Sequence, residues 1–123
     1  MIKVTEFSFI GYPVTDIKRA REFYEGLFNL KPVTDMSTPD GAWVEYEVGP
    51  HTLALSTYWK PAADGGPCLS FEVEDYDATL SVLKAAHIKF EMESTDTPVC
   101  HFALVRDPDG NQLFIHKRKA QAA

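Results

Sequence analysis

The chain repeats one order of apolar, capping and turn residues at an offset of about 59 residues, and this echo restricts its possible folds more than any single motif does. Phe9-Ile10-Gly11-Tyr12-Pro13-Val14-Thr15-Asp16-Ile17 lies over Cys68-Leu69-Ser70-Phe71-Glu72-Val73-Glu74-Asp75-Tyr76, matching Val14 with Val73 and Asp16 with Asp75. At an offset of about 60, Trp43-Val44-Glu45-Tyr46 lies over Ala103-Leu104-Val105-Arg106, and Leu53-Ala54-Leu55-Ser56 over Leu113-Phe114-Ile115-His116. Two copies of one supersecondary unit are the economical reading.

Each copy reads as strand, helix and three strands. In the first, residues 6–14 are apolar and aromatic enough for a strand, and Thr15-Asp16 offers side-chain oxygens to cap a helix. Ile17, Ala20, Phe23, Leu27 and Leu30 recur at spacings of three and four, with Lys18, Arg19, Arg21, Glu22 and Glu25 opposite, so the helix runs toward Pro32, which ends it. Strands are expected at 42–48 and 52–57 around a Gly49-Pro50 turn, with a weaker one at 31–35. The second copy has a strand at 68–74, a helix capped by Asp75 and reaching about Ala86, then strands at 89–93, 100–106 and 112–117. Asp107-Pro108-Asp109-Gly110-Asn111 joins the last two and reads as a turn, because Pro fixes φ, Asp and Asn bond back to the backbone, and Gly takes a positive φ. The expected organisation is one domain, 1–123, of two modules, 6–59 and 68–117, joined by a turn-rich linker at 60–67.

Composition excludes several classes. A chain of 123 residues, 45% hydrophobic, can bury about two thirds of its unfolded surface without staples. A net charge of -6, with no basic stripe interleaved with aromatics, argues against nucleic acid as a partner. The basic run Lys117-Arg118-Lys119 reads as a solvated tail. The first residues lack the apolar centre of a secretory signal and no stretch is long enough for a membrane span, so the expected location is the cytoplasm and no membrane partner is expected. Cys68 and Cys100 are too few for a disulfide framework, which suits a reducing compartment.

The paired modules, the Val14-Thr15-Asp16-Ile17 turn leading to Ala20 and Phe23-Tyr24, and Asp107-Pro108-Asp109-Gly110-Asn111 together resemble the vicinal oxygen chelate superfamily. That group includes glyoxalase I, extradiol dioxygenases, fosfomycin resistance enzymes, methylmalonyl-CoA epimerase and bleomycin resistance proteins. The resemblance covers about residues 6–117 and implies an α+β fold, two βαβββ modules forming a cupped mixed sheet, and a homodimer. Metal-dependent members take ligands from the first and last strands of each module. Carried across by the flanking motifs, those places fall at Phe9, Ala54, Cys68 and Phe114, where the family needs His or Glu. Zinc and hard divalent ions want imidazole or oxygen donors, and this set offers one thiol at most. No metal and no cofactor is therefore expected.

By strand alternation Cys68, Ser70 and Glu72 share a face with the ligand positions, as do Ser56 and His116. Glu72 and His116 could form an acid/base pair, while solvated strand ends are the plainer reading. His101 alternates with Ala103 and Val105, and its face is left open. Trp43, Glu45 and Glu47 share one strand face, an aromatic surface beside carboxylates that suits a flat or cationic ligand, although core packing is an equal alternative. Cys68 lacks an adjacent base and reads as a buried, inert thiol.

The expected function is metal-free binding of a small aromatic or cationic molecule in a dimer cleft, as the resemblance to bleomycin resistance proteins implies. Phe9, Trp43, Tyr58, Trp59 and Phe114 would supply stacking surface, Glu45, Glu47 or Glu72 the countercharge, and Ala54, Ser56, Cys68, His101 and His116 the rest of the lining. The alternative is a lyase, isomerase or dioxygenase of the same superfamily using a displaced metal site or none. Whether the chain is an enzyme stays open at this level, as does a third reading, an interaction module that has lost its ligand.

Overall fold

Both modules have the expected order of elements. The computed structural model describes residue 3 and residues 5–62 and 68–120. The chain divides into two compact units, Met1–Pro61 and Ala62–Ala123. Residues 63–67 of the expected linker lie outside the described residues.

The first unit carries β1 (Ile10–Pro13), α1 (Ile17–Arg21, continuing as a π-helical turn Glu22–Leu27), β2 (Pro32–Asp35), β3 (Trp43–Val48) and β4 (His51–Ser56). Its sheet has the order β1-β4-β3-β2, with β1 parallel to β4 and the other pairs antiparallel. The second unit carries β5 (Leu69–Glu72), α2 (Tyr76–Ala85), β6 (Phe90–Asp96), β7 (Cys100–Arg106) and β8 (Gln112–Arg118) in the matching order β5-β8-β7-β6. The class is α+β, with two four-stranded mixed sheets.

Local chemistry starts both helices at the expected residues. Asp16 Oδ1 accepts from the Arg19 amide at 3.1 Å, and Asp75 Oδ1 from the Ala78 amide at 3.0 Å. Each thereby satisfies one of the donors a helix leaves open at its start. The Asp107 turn is equally local: its carboxylate accepts from the amides of Asp109 at 2.9 Å and Asn111 at 2.8 Å and from the Asn111 side chain at 2.8 Å, while Gly110 takes a φ of 84°.

Strand ends shift by a residue or two in several places, as where the strand expected at 68–74 is Leu69–Glu72, and three departures carry a structural reason or consequence. The first strand covers only Ile10–Pro13, paired with Leu53–Ser56 of β4, and Phe7 is left exposed. The first helix stops at Leu27 rather than near Pro32. Asn29 takes a left-handed φ of 56° and the Leu30 amide returns to the Tyr24 carbonyl at 3.2 Å, so the chain turns out before Pro32, which opens β2 instead. The widened π turn brings Phe23 and Tyr24 into the core side by side, their rings 5.0 Å apart at 77°. Strand β6 runs on to Asp96 and pairs with β7 through two register shifts.

Register assigns the faces. In the first sheet Ile10, Tyr12, Val44, Tyr46, Leu53 and Leu55 form one face, with every member but Ile10 buried, and α1 packs against β4. The buried Tyr46 hydroxyl donates to Glu25 Oε2 at 2.8 Å, and burial followed by that carboxylate pushes the phenol far above its usual range. In the second sheet Phe71, Ala103, Val105, Leu113 and Ile115 form the equivalent buried face, and α2 packs against β8. Burying these two faces supplies most of the folding drive, at about 25 cal/mol per Å² of apolar surface.

Candidate functional site

On the first sheet's far face, register aligns Gly11, Ala54 and Glu45 in one row and Pro13, Ser56 and Trp43 in the next. Gly11 and Ala54 make a floor of minimal side chains, and three aromatic rings gather over it. Phe9 stacks on Trp59, with centroids 6.1 Å apart and 12° between planes, and meets Trp43 edge-on at 5.5 Å and 79°. Trp43 and Trp59 lie 5.0 Å apart at 66°. A Cβ at Gly11 would fall 2.6 Å from Trp59 Cζ3, so the indole rests directly on the backbone there. Trp43 Nε1 donates to Glu45 Oε2 at 2.8 Å, which fixes a carboxylate at the margin of the rings. Phe9 remains 43% exposed, so the cluster presents a ring to solvent rather than closing on itself.

Two neighbours have other duties. Ser56 is fully buried, donating its hydroxyl to the Ala42 carbonyl at 3.0 Å and accepting from the Tyr58 amide at 3.0 Å. Tyr58 lies over Gly41, where a Cβ would come within 2.6 Å of its ring, and its hydroxyl bonds Thr38 Oγ1 at 2.9 Å. It pins the loop between β2 and β3.

On the second sheet's far face, Ser70 aligns with Phe114 and Leu104, Glu72 with His116 and Phe102, and Arg118 with Cys100. Phe102 and Phe114 meet edge-on at 5.8 Å and 79°. Glu72 Oε1 lies 2.5 Å from His116 Nδ1, and its Oε2 accepts from the Arg118 amide at 2.8 Å. Burial works to raise the Glu72 carboxyl, but these two donors together hold it below the usual range. Contrary to the expected burial, Cys68 is exposed, because it lies just ahead of β5; its Sγ is 3.6 Å from the Leu69 carbonyl oxygen, and desolvation raises its thiol above the ordinary value, which disfavours the nucleophilic thiolate.

His101 does not join this group. It alternates with Cys100 and Phe102, so it lies on the helix side of the sheet, its ring stacked on Tyr76 at 5.5 Å and its Nδ1 3.3 Å from Asp96 Oδ1. The basic run is also ordered differently from a fraying tail: Lys117 and Arg118 belong to β8, and Lys119 Nζ pairs with Asp96 at 2.5 Å. Sequence reasoning missed Gly11 as a floor and Arg118 as a site residue. The near absence of a side chain at Gly11, two residues after a candidate ring, was the available signal for the first.

The four family ligand positions do not fit a divalent metal. Phe9 and Phe114 are engaged in ring contacts, Ala54 is a buried methyl, and Cys68 is a thiol whose ionisation is disfavoured. Among the described residues no group of three or more His, Cys, Asp or Glu side chains is arranged to hold a metal ion. No helix among them is long and apolar enough to cross a membrane.

Comparison with known proteins adds a family and a set of shared folds. Residues 6–115 match the model of the Glyoxalase/Bleomycin resistance protein/Dioxygenase superfamily. No curated protein matches the sequence. Among solved structures, the antibiotic binding protein TnmS3 from Streptomyces sp. CB03234 superposes with a TM-score of 0.77 at 21% identity, over 97% of this chain and 100% of that one. The fosfomycin resistance protein FosX from Mesorhizobium loti gives 0.75 at 14% identity, over 93% and 92%. A lactoylglutathione lyase from Agrobacterium tumefaciens gives 0.73 at 20% identity, over 93% and 94%. At these identities the likeness concerns the fold.

Proposed function

We propose that this chain, which belongs to the Glyoxalase/Bleomycin resistance protein/Dioxygenase superfamily, binds a small flat aromatic or cationic molecule without a metal and without turning it over. The observation that carries this reading is the ring cluster of Phe9, Trp43 and Trp59 over the Gly11–Ala54 floor, with the Glu45 carboxylate held against the Trp43 indole. Ring faces carry negative charge density, so a flat cation gains both stacking and electrostatic attraction there, about 0.5–2 kcal/mol per contact depending on desolvation. Glu45 adds a countercharge at the margin. TnmS3, an antibiotic binding protein of the same fold, is in keeping with this use of it. The proposal includes a homodimer, as the resemblance implies, and a cytoplasmic setting, which two free thiols, Cys68 and Cys100, suit.

A second reading is favoured by one observation. The 2.5 Å contact of Glu72 with His116 orients an imidazole as a general base would be oriented, which suits a lyase, isomerase or dioxygenase. Calorimetric titration with N-methylquinolinium, followed by mass analysis of the recovered ligand, separates the two. Saturable binding with the ligand returned unchanged supports a binding protein. No heat at millimolar ligand removes the first reading.

A further inference from the structure

At one end of the second sheet, on different residues from the ring cluster, lies a depression of about 690 Å³ lined by Pro98, Val99, Cys100, His116, Arg118, Lys119 and Ala120. Its charges are arranged unequally. Lys119 is neutralised by Asp96 at 2.5 Å. Both Glu72 oxygens are taken, one by His116 Nδ1 and the other by the Arg118 amide. The Arg118 guanidinium, by contrast, makes no hydrogen bond or ion pair among the described residues, and neither does His116 Nε2. Arg118 follows His116 by two along β8 and so shares its face, with Cys100 registered opposite Arg118 and Phe102 opposite His116. Beside these polar groups Val99 is 71% exposed, an apolar side chain with no cover.

We propose that this depression is a binding site for a small organic monocarboxylate. The guanidinium takes the carboxylate in a two-pronged pair, the imidazolium form of His116, with Nδ1–H on Glu72, donates its Nε2–H to one of the carboxylate oxygens, and the apolar body of the acid covers Val99 and Pro98. A planar fork matches a planar carboxylate better than it matches a compact ammonium's partners, and charge-assisted bonds of this kind are the strong ones. The guanidinium acts on Glu72 through space but bonds none of its own N–H groups to it, and those donors suit a single negative charge, since the neighbouring lysine is already spent on Asp96. On a chain of net charge -6 such a spot is the exception, so an anion reaching it is held by local contacts and not by the overall field.

The test is a titration of the full chain, followed by NMR at the Val99 methyls and the His116 ring, with benzoate, its neutral isostere benzamide, and inorganic phosphate. Benzoate is expected to shift both groups saturably, with benzamide weaker by about tenfold or more, as loss of a charge-assisted pair implies. Arg118→Gln alters a solvent-exposed side chain, so the fold should persist, which unchanged Ile115 and Leu113 methyl signals verify. It should weaken benzoate by a similar factor, and His116→Gln by a smaller one. Equal binding of benzamide, or undiminished benzoate binding in Arg118→Gln, would overturn the proposal. Phosphate binding more tightly than benzoate would overturn it too, because the site would then read charge without an apolar body.

Discussion

Substituting Gly11 tests the floor of the ring cluster. In Gly11→Ala the new methyl would stand 2.6 and 2.7 Å from Trp59 Cζ3 and Cη2 and 3.5 Å from Phe9 Cε2. Carbon pairs settle near 3.5–4.0 Å, so Trp59 must withdraw by about 1 Å. The obstructing atoms are the far end of a side chain, and the response should be displacement of the indole with the strand intact. Trp59 then gives up its stack on Phe9 and its edge contact with Trp43, pairs worth about 0.5–1.5 kcal/mol each beyond area burial. Replacing Gly returns about 0.4–1 kcal/mol through the unfolded chain. The net expectation is a loss of about 0–2.6 kcal/mol, with the emission change as the decisive readout. Urea unfolding followed by circular dichroism measures it, and fluorescence reads the cause, since Trp43 and Trp59 are the two tryptophans of the chain. Emission should move to the red and quenching by a flat cation should weaken. Gly26→Ala is the control: nothing lies within 4 Å of its Cβ, and it should leave emission unchanged. Unaltered stability and emission in Gly11→Ala would refute the reasoning.

Three further outcomes are expected. Glu45→Gln should weaken N-methylquinolinium by about tenfold while leaving uncharged quinoline unaffected, as titration calorimetry would show, because it removes the countercharge but keeps an acceptor for Trp43 Nε1. Glu72 has a folded pKa below its ordinary value, so its contribution to stability is present at neutral pH and lost as pH falls through that folded pKa. The stability gap between the natural chain and Glu72→Gln should therefore be larger at pH 7 than at pH 3 in urea unfolding. Asp107→Ala strips three acceptor bonds from a buried turn residue and should cost about 2–3 kcal/mol by the same measurement.

Features set by neighbouring chemistry were the legible ones. Asp16, Asp75 and the Asp107–Asn111 turn need only residues within four positions, and the caps and turn lie where the sequence puts them. Features set by pairing were not. β1 is only the stretch that pairs with Leu53–Ser56 of β4, and the extension of β6 goes with register shifts against β7. The same division runs through the candidate site. Period-two alternation correctly groups Trp43 with Glu45 and Glu72 with His116 across their strands. It cannot assign a face by itself, and His101 needed the register of β7 on β8 to be put on the helix side. Ser56 shares the right face, but its hydroxyl is consumed by Ala42 and Tyr58, a contact invisible to alternation. Arg118 reads in sequence as part of a solvated basic tail near a chain end, whereas the ladder to Cys100 fixes it in a strand.

The most direct test of the central claim uses the two indole N–H signals that Trp43 and Trp59 give in a proton–nitrogen correlation spectrum. On titration with N-methylquinolinium both should shift together and saturate at one ligand per chain, with quinoline weaker and the ligand chemically unchanged at the end. Signals that stay in place while the ligand binds elsewhere, or a ligand that is converted, would contradict the account.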